Sequence, residues 1–215
     1  HGWFTEWPRI REIGGGRMIM DMHGMFFDFP KTFSAGNTAG ISPVGSHLRY
    51  IPDFCEWNGR LVLATDETSI QGNPLSGQPQ CNLWFGQYED MKSWGPASGF
   101  GGPWVSDSIK ADTPSSPFLV NGFDHRVLHL AVHSGGNVKV TMEIDRDGCG
   151  KWQEYKTVNV EVYAYQIFPK DFTAQWMRLK ADHDCEVSAY FHLTDADFVD
   201  SKKYGELFAG LATVG

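Results

Sequence analysis

The segment Ser46-His47-Leu48-Arg49-Tyr50 brings an imidazole, a guanidinium and a phenol close together. Read as a strand, it puts His47 and Arg49 on one face about 6.6–7 Å apart, with Tyr50 on the other. A histidine base beside an arginine is what β-elimination of a uronic-acid sugar requires. The base removes the proton α to the carboxylate, and the cation stabilises the enolate-like charge that develops. The same pair suits plain binding of an acidic sugar, and a hydrogen-bonded strand end uses the same residues with no chemistry at all. His23, in Asp21-Met22-His23-Gly24, becomes a fourth catalytic candidate if it and His47 end neighbouring strand units.

Trp57 and Trp84 are candidate sugar-stacking rings, and Asp66 a candidate substrate hydrogen-bonding group. Asp53, Glu56, Asp66 and Glu67 could supply the two carboxylates of a glycosidase, which stand about 5–10 Å apart. Thiolate and imidazole suit zinc, so His47, Cys55 and Cys81, with His23, form a conceivable metal set, although their spacing matches no zinc signature. His125, His129 and His133 would share one strand face, but four strand residues span about 13 Å, too far for two of them to hold one metal. They read as a polar face, with Leu128, Leu130 and Val132 turned to the core. Asp145-x-Asp147-Gly148-x-Gly150 opens like a calcium loop but lacks a glutamate at its twelfth position, so a tight hairpin is expected. An N-terminal His1 could chelate copper through its amine and ring, the chemistry of oxidative polysaccharide cleavage, if it is a true terminus.

These residues must be positioned by strands. Asn58-Gly59 is the strongest hairpin signal, because a type I′ turn needs positive φ at both central residues. Gly14-Gly15-Gly16 and Asn121-Gly122 offer the same freedom, and each of the three turns leads into an arginine (Arg17, Arg60, Arg126) and an apolar run. Arg17 and Arg60 stand 43 residues apart, close to the ~40–50-residue period of propeller blades. Arg126 follows 66 residues later, so the Gly/Pro/Ser-rich stretch from Gly95 to Pro117 reads as an insertion. Further strands are expected at Met25–Phe29, Asn82–Gly86, Val138–Ile144, Tyr155–Val162, Tyr163–Phe168, Trp176–Ala181 and Glu186–Leu193. Residues 1–116 thus read as propeller-like blades, 117–198 as further antiparallel β units and 199–215 as a short helix. The fold expected is all-β, antiparallel blades of a whole or partial β-propeller, with a β-sandwich or jelly roll as the alternative.

The bulk figures agree. Of 215 residues, 41% are hydrophobic and 20% charged, ordinary for a packed domain. The net charge of −8 and the lack of any basic run argue against nucleic acid. No apolar stretch approaches the ~20 residues of a spanning helix. The opening HGWFTEWPR carries no leader, as a mature or trimmed chain would not. Four cysteines permit one or two disulfides or free thiols equally.

Taken together, SHLRYIPDFCEWNGRLVLATDETS, QCNLWFG, GGPWV, EIDRDGCGKWQEY and WMRLKADHDCEVSAYF resemble bacterial β-propeller proteins encoded with polysaccharide-degradation genes. These are similar to propeller-fold uronic-acid lyases and rhamnosyl-glucuronate glycosidases. The resemblance covers most of residues 3–215, although such proteins are usually longer. It implies a carbohydrate-active protein, periplasmic or extracellular, that meets an acidic poly- or oligosaccharide by lyase or hydrolase chemistry, with zinc or calcium as conceivable cofactors. It also implies roles for His47, Arg49, Tyr50 and His23 near a propeller axis. A non-catalytic carbohydrate-binding or scaffold β domain is the reading of a different class, and copper chemistry through His1 a third.

Overall fold

The computed structural model describes residues 8–47, 50–66 and 81–195. Strands β1 (Arg9–Glu12), β2 (Met18–Met22), β3 (Met25–Asp28) and β4 (Ser42–Ser46) form a four-stranded antiparallel meander. Strands β5 (Tyr50–Trp57), β6 (Arg60–Asp66) and β7 (Cys81–Gly86) form a three-stranded one. Asn58 (φ 52°) and Gly59 (φ 75°) make the β5–β6 turn as expected, while His23 (φ 53°) and Gly24 (φ 78°) do the same for β2–β3. The meanders share one core, with Ile19 and Phe26 against Ile51, Phe54, Leu61 and Leu63. Helix α1 (Tyr88–Met91) adds Tyr88 and Met91 to it.

The rest is a two-sheet sandwich. One sheet has β8 (Ser98–Ile109), β15 (Cys185–Thr194), β10 (His125–Ser134) and β13 (Tyr163–Phe168) side by side, with β8 and β13 at its edges. The other runs β9 (Phe118–Leu119), β14 (Trp176–Ala181), β11 (Val138–Asp145) and β12 (Trp152–Val160). Alternation decides which side is buried: Val187, Ala189, Phe191 and Leu193 of β15 face Met142, Ile144, Met177 and Leu179 of the second sheet in one cluster. Full burial of each large side chain stabilises by about 1.5–3 kcal/mol.

Two expectations are corrected. The Gly95–Pro117 stretch is no insertion, because it contains β8, the longest strand, hydrogen-bonded along β15 with two register shifts. Its glycines serve close approach: a Cβ at Gly102 would sit on the Ala189 carbonyl. Asn121-Gly122 turns the chain between sheets instead of closing a hairpin, since β9 and β10 belong to different layers. The three arginines accordingly have different settings. Arg17 lies over the Tyr88 ring at 3.9 Å, Arg60 is exposed, and buried Arg126 donates to the Val120 carbonyl at 2.8 Å. Among the described residues the sheets close no propeller ring, and the sandwich alternative describes 98–195.

A strap from Thr38 to Ile41 ties the halves together. Thr38 donates from N and Oγ1 to the Gly148 carbonyl at 2.7 and 3.0 Å, and Trp176 Nε1 donates to Thr38 Oγ1 at 2.7 Å. Buried Gln175 accepts from Gly40 N at 3.0 Å and donates to the Ile41 carbonyl at 2.8 Å. Both amide atoms of Gln175 are therefore satisfied, as burial demands. The β11–β12 connection is the expected hairpin, with the Asp145 carboxylate accepting from Cys149 N (3.3 Å) and Gly150 N (2.7 Å) in place of a metal. Cys55, Cys149 and Cys185 are free thiols. Among the described residues no helix is long and apolar enough to cross a membrane.

Candidate functional site

His47 does not share a strand with Arg49. Strand β4 stops at Ser46 and β5 starts at Tyr50, so His47 lies in the link, and Leu48 and Arg49 fall outside the described residues. Its Nε2 is 2.9 Å from Asp21 Oδ1, with side chains only 2% and 0% exposed. The ring tilts against Phe26 at 4.7 Å, and His47 N donates to the Gly24 carbonyl at 2.8 Å. Asp21 carried no catalytic signal of its own in the sequence beyond its place beside His23. The buried pair pins the β4–β5 link to β2. His23 is exposed at its turn, so the two histidines form no joint site.

The other predicted residues scatter. Asp66 pairs in backbone register with Tyr50 and with Cys81 at the strand ends, and the side chains of these three fall outside the described set. Cys55 is exposed while His47 is buried, and among the described residues no group of three His, Cys, Asp or Glu is placed to hold a metal. The described side chains therefore do not bring the conceivable zinc set together, and at the Asp145 hairpin the carboxylate is taken by backbone N–H groups. His1 lies outside the described residues, as does the 199–215 helix. Trp57 is 61% exposed beside Phe85 at 6.1 Å, but Trp84 turns to the opposite side of the sheet and packs edge-on against Trp94 at 4.8 Å.

The outer face of the β13-β10-β15-β8 sheet is different. His129 stands directly opposite Tyr165 on one side and Tyr190 on the other, a row of three rings crossing three strands. On one side of it runs the row Ile167, Val127, His192 and Phe100, and on the other the row Tyr163, Ala131 and Ser188. Tyr163, Tyr165, Ile167 and Phe100 are each more than half exposed. Polar contacts link the rings: His129 Nδ1 meets Tyr163 Oη at 2.6 Å, and His133 Nε2 meets Ser188 Oγ at 2.9 Å. His129 and Tyr190 each pack edge-on against His192, at 5.0 and 5.3 Å. Burial pushes the His129 imidazole below its ordinary pKa, and the nearby His192 adds to this. His125, His129 and His133 were expected to form a polar face, with Leu128, Leu130 and Val132 inward. The leucines are buried, Val132 packs partly against the core and the histidines take the other side. The tyrosines across β13 and β15 were missed. Their signal was present, since Tyr163 and Tyr165, like Tyr190 and His192, recur at period two.

The sandwich's other outer face is charged. Glu143 receives Arg178 and Lys180 at 2.6 and 2.7 Å, and the Arg178 guanidinium covers Trp152 at 4.4 Å. A cleft of about 600 Å³ opens beside α1, and its carboxylates are already engaged. Tyr88 donates to Asp28 at 2.8 Å, and burial followed by that carboxylate raises the phenol above its usual range. Asp195 accepts from Asp124 N at 3.0 Å.

No protein-family model matches the sequence, and no curated protein matches it. Among solved structures, the chain is similar over 76% of its length to infectious bursal disease virus Gx strain (8% identity, TM-score 0.28, 46% of that chain). It is similar over 87% to an exo-β-1,3-galactanase from Phanerochaete chrysosporium (11% identity, TM-score 0.26, 56% of that chain). A carbohydrate-binding module, CBM29-2, is matched over 84% of this chain and 99% of its own (11% identity, TM-score 0.23). The chain spans about half the length of the first two. The similarity to carbohydrate-active β domains is therefore distant, and at these scores it identifies neither a family nor a function.

Proposed function

We propose that the protein is a non-catalytic carbohydrate-binding β domain whose site is the outer face of the β13-β10-β15-β8 sheet. The observation that carries this reading is the row Tyr165–His129–Tyr190, with Tyr165 exposed and His129 and Tyr190 half-buried. Sugar rings offer apolar C–H faces ringed by hydroxyls, so they need aromatic surface and hydrogen-bonding atoms interleaved. The patch of Trp57, Leu83 and Phe85 supplies rings and apolar area but, among these three, only the Trp57 indole N–H as a polar tip. A hydroxyl desolvated there without a partner costs about 1–3 kcal/mol, which decides in favour of the tyrosine and histidine face.

Lyase or hydrolase action on an acidic polysaccharide is less well supported, because the His47 imidazole is enclosed. A polysaccharide ligand puts the site of action in the periplasm or outside the cell, which fractionation of source cells would check. The two meanders are read as blade-like from their up-and-down strand order, and a longer chain with no further meanders would count against that. The functional test is affinity gel electrophoresis and calorimetry on a polysaccharide panel, with reducing ends and unsaturated uronides assayed alongside. Binding without turnover is expected. Turnover abolished by His47→Ala, in a protein that still folds, would overturn the reading.

A further inference from the structure

We propose that the glycan taken by this face is uncharged, and that the face discriminates against uronic-acid and sulfated chains. The inference rests on the carbohydrate-binding reading above and names its ligand class. The outward positions run through Tyr163, Tyr165 and Ile167 of β13, Val127, His129, Ala131 and His133 of β10, and Glu186, Ser188, Tyr190, His192 and Thr194 of β15. On β8 they include Ser98, Phe100 and Ser108, opposite Thr194, His192 and Glu186. This set contains one carboxylate, Glu186, and neither lysine nor arginine. A surface that selects anionic sugars needs the opposite, a cation able to take a carboxylate or sulfate in charge-assisted hydrogen bonds.

Five cations of the sandwich are engaged elsewhere. Arg178 and Lys180 bond Glu143 on the far sheet, Lys110 is held by Asp184 at 2.6 Å, and Arg126 is turned inward to Val120. Lys156 bonds Gln166, which alternates to the inward side of β13. Asp124 and Asp195 lie where β10 and β15 meet the Ser98 end of β8, so that rim is acidic too. The binding atoms on offer are phenol, imidazole and serine hydroxyl groups, which donate to and accept from sugar hydroxyls without requiring charge.

The test is calorimetry of the full chain at pH 8 in 0.1 M salt. Probes are neutral polysaccharides (glucans, xylans, mannans and galactans) and acidic ones (polygalacturonate, alginate and a sulfated galactan). The expected result is at least one neutral ligand, weakened about tenfold or more by Tyr165→Ala or by Tyr190→Ala, with acidic chains at least tenfold weaker. Ala131→Lys, which sets one ammonium between Tyr163 and Ser188, should raise affinity for the acidic chains. An acidic chain bound as tightly as any neutral one, and lost with the same tyrosines, overturns the neutral-ligand inference and leaves carbohydrate binding standing. No binding by any member of the panel overturns both, and binding that survives both tyrosine variants removes the site from this face. Tyr165 is exposed on an edge strand, so its loss leaves folding intact, which an unchanged Tm verifies.

Discussion

His129 of β10 and Tyr163 of β13 meet tip to tip, Nδ1 to Oη, at 2.6 Å across two hydrogen-bonded strands. They are diagonal neighbours, because His129 is registered with Tyr165. The contact fixes the tilt of an exposed phenol that would otherwise rotate freely, and a fixed ring loses less entropy when a ligand settles on it. His129→Ala should therefore weaken glycan binding about tenfold, equivalent to ~1.4 kcal/mol, while changing Tm little. Calorimetry beside a melting curve checks both, and unchanged affinity would show that the contact orders nothing of use.

Acidification should weaken the face. The titratable groups facing His129 are Tyr163 and Tyr165 from β13 and Tyr190 and His192 from β15. Its folded pKa is below its unfolded value, so between the two values the unfolded chain holds more protons. The resulting stability is fully present above about pH 6.5 and is lost as pH falls through the folded value. Neutral-glycan affinity should follow the same sign, flat from pH 8 to 7 and falling towards pH 5. Nuclear magnetic resonance titration of His129 in wild type and His192→Gln reads the shift directly; an ordinary or raised value would contradict it.

On the far sheet the sign is the same, in a more acidic window and for the opposite cause. Burial alone would raise the Glu143 pKa, but hydrogen bonds from Lys180 and Arg178 outweigh it and hold the carboxyl below its ordinary value. Its stabilisation is present above about pH 4.5 and disappears as pH drops through the folded pKa. Glu143→Gln should cost about 1–3 kcal/mol at pH 7 and markedly less at pH 3, measured by urea unfolding. Equal losses at both pH values would show that charge is not involved.

Gly102→Ala should break the β8–β15 ladder, since its Cβ would collide with the Ala189 backbone, which cannot yield as a flexible side chain can. Such overpacking costs about 1–3 kcal/mol, at ~2–4 °C of Tm per kcal/mol. Hydrogen exchange should quicken along β8 and β15 first. Gly136→Ala, where nothing lies within 4 Å but φ is +83°, separates backbone strain from collision.

Asp21→Ala should destabilise by about 1–3 kcal/mol, because it removes the partner of His47 Nε2 inside the shared core of the two meanders. Chemical denaturation measures this. The same variant should leave glycan affinity as in wild type, whereas a large loss of affinity with an intact fold would return the Asp21–His47 pair to the functional account.

Much of the strand order was legible. Asn58-Gly59 marked its hairpin because two positive φ values admit few residues, and Tyr163–Phe168 and Trp176–Ala181 were bounded by their own alternation. Strand β8 was hidden because Gly101, Gly102 and Pro103 are loop residues by composition, and only the approach of β15 explains them. The sandwich was masked for a similar reason: Asn121-Gly122 looks alike whether a turn closes a hairpin or crosses between layers. His47 was read as a strand residue beside Arg49 because nothing local reveals that Asp21, on another strand, takes its Nε2 into the core. The tyrosine face needed the register of three strands before Tyr165, His129 and Tyr190 became one row.

The measurement that bears most directly on the central claim is calorimetric titration of wild type and the Tyr165→Ala/Tyr190→Ala double variant with the tightest polysaccharide of the panel. The account predicts saturable binding by wild type, loss of at least about 100-fold in the double variant at about tenfold per 1.4 kcal/mol, and matching melting curves. Equal affinity in the two proteins, or no heat with any glycan, would contradict it.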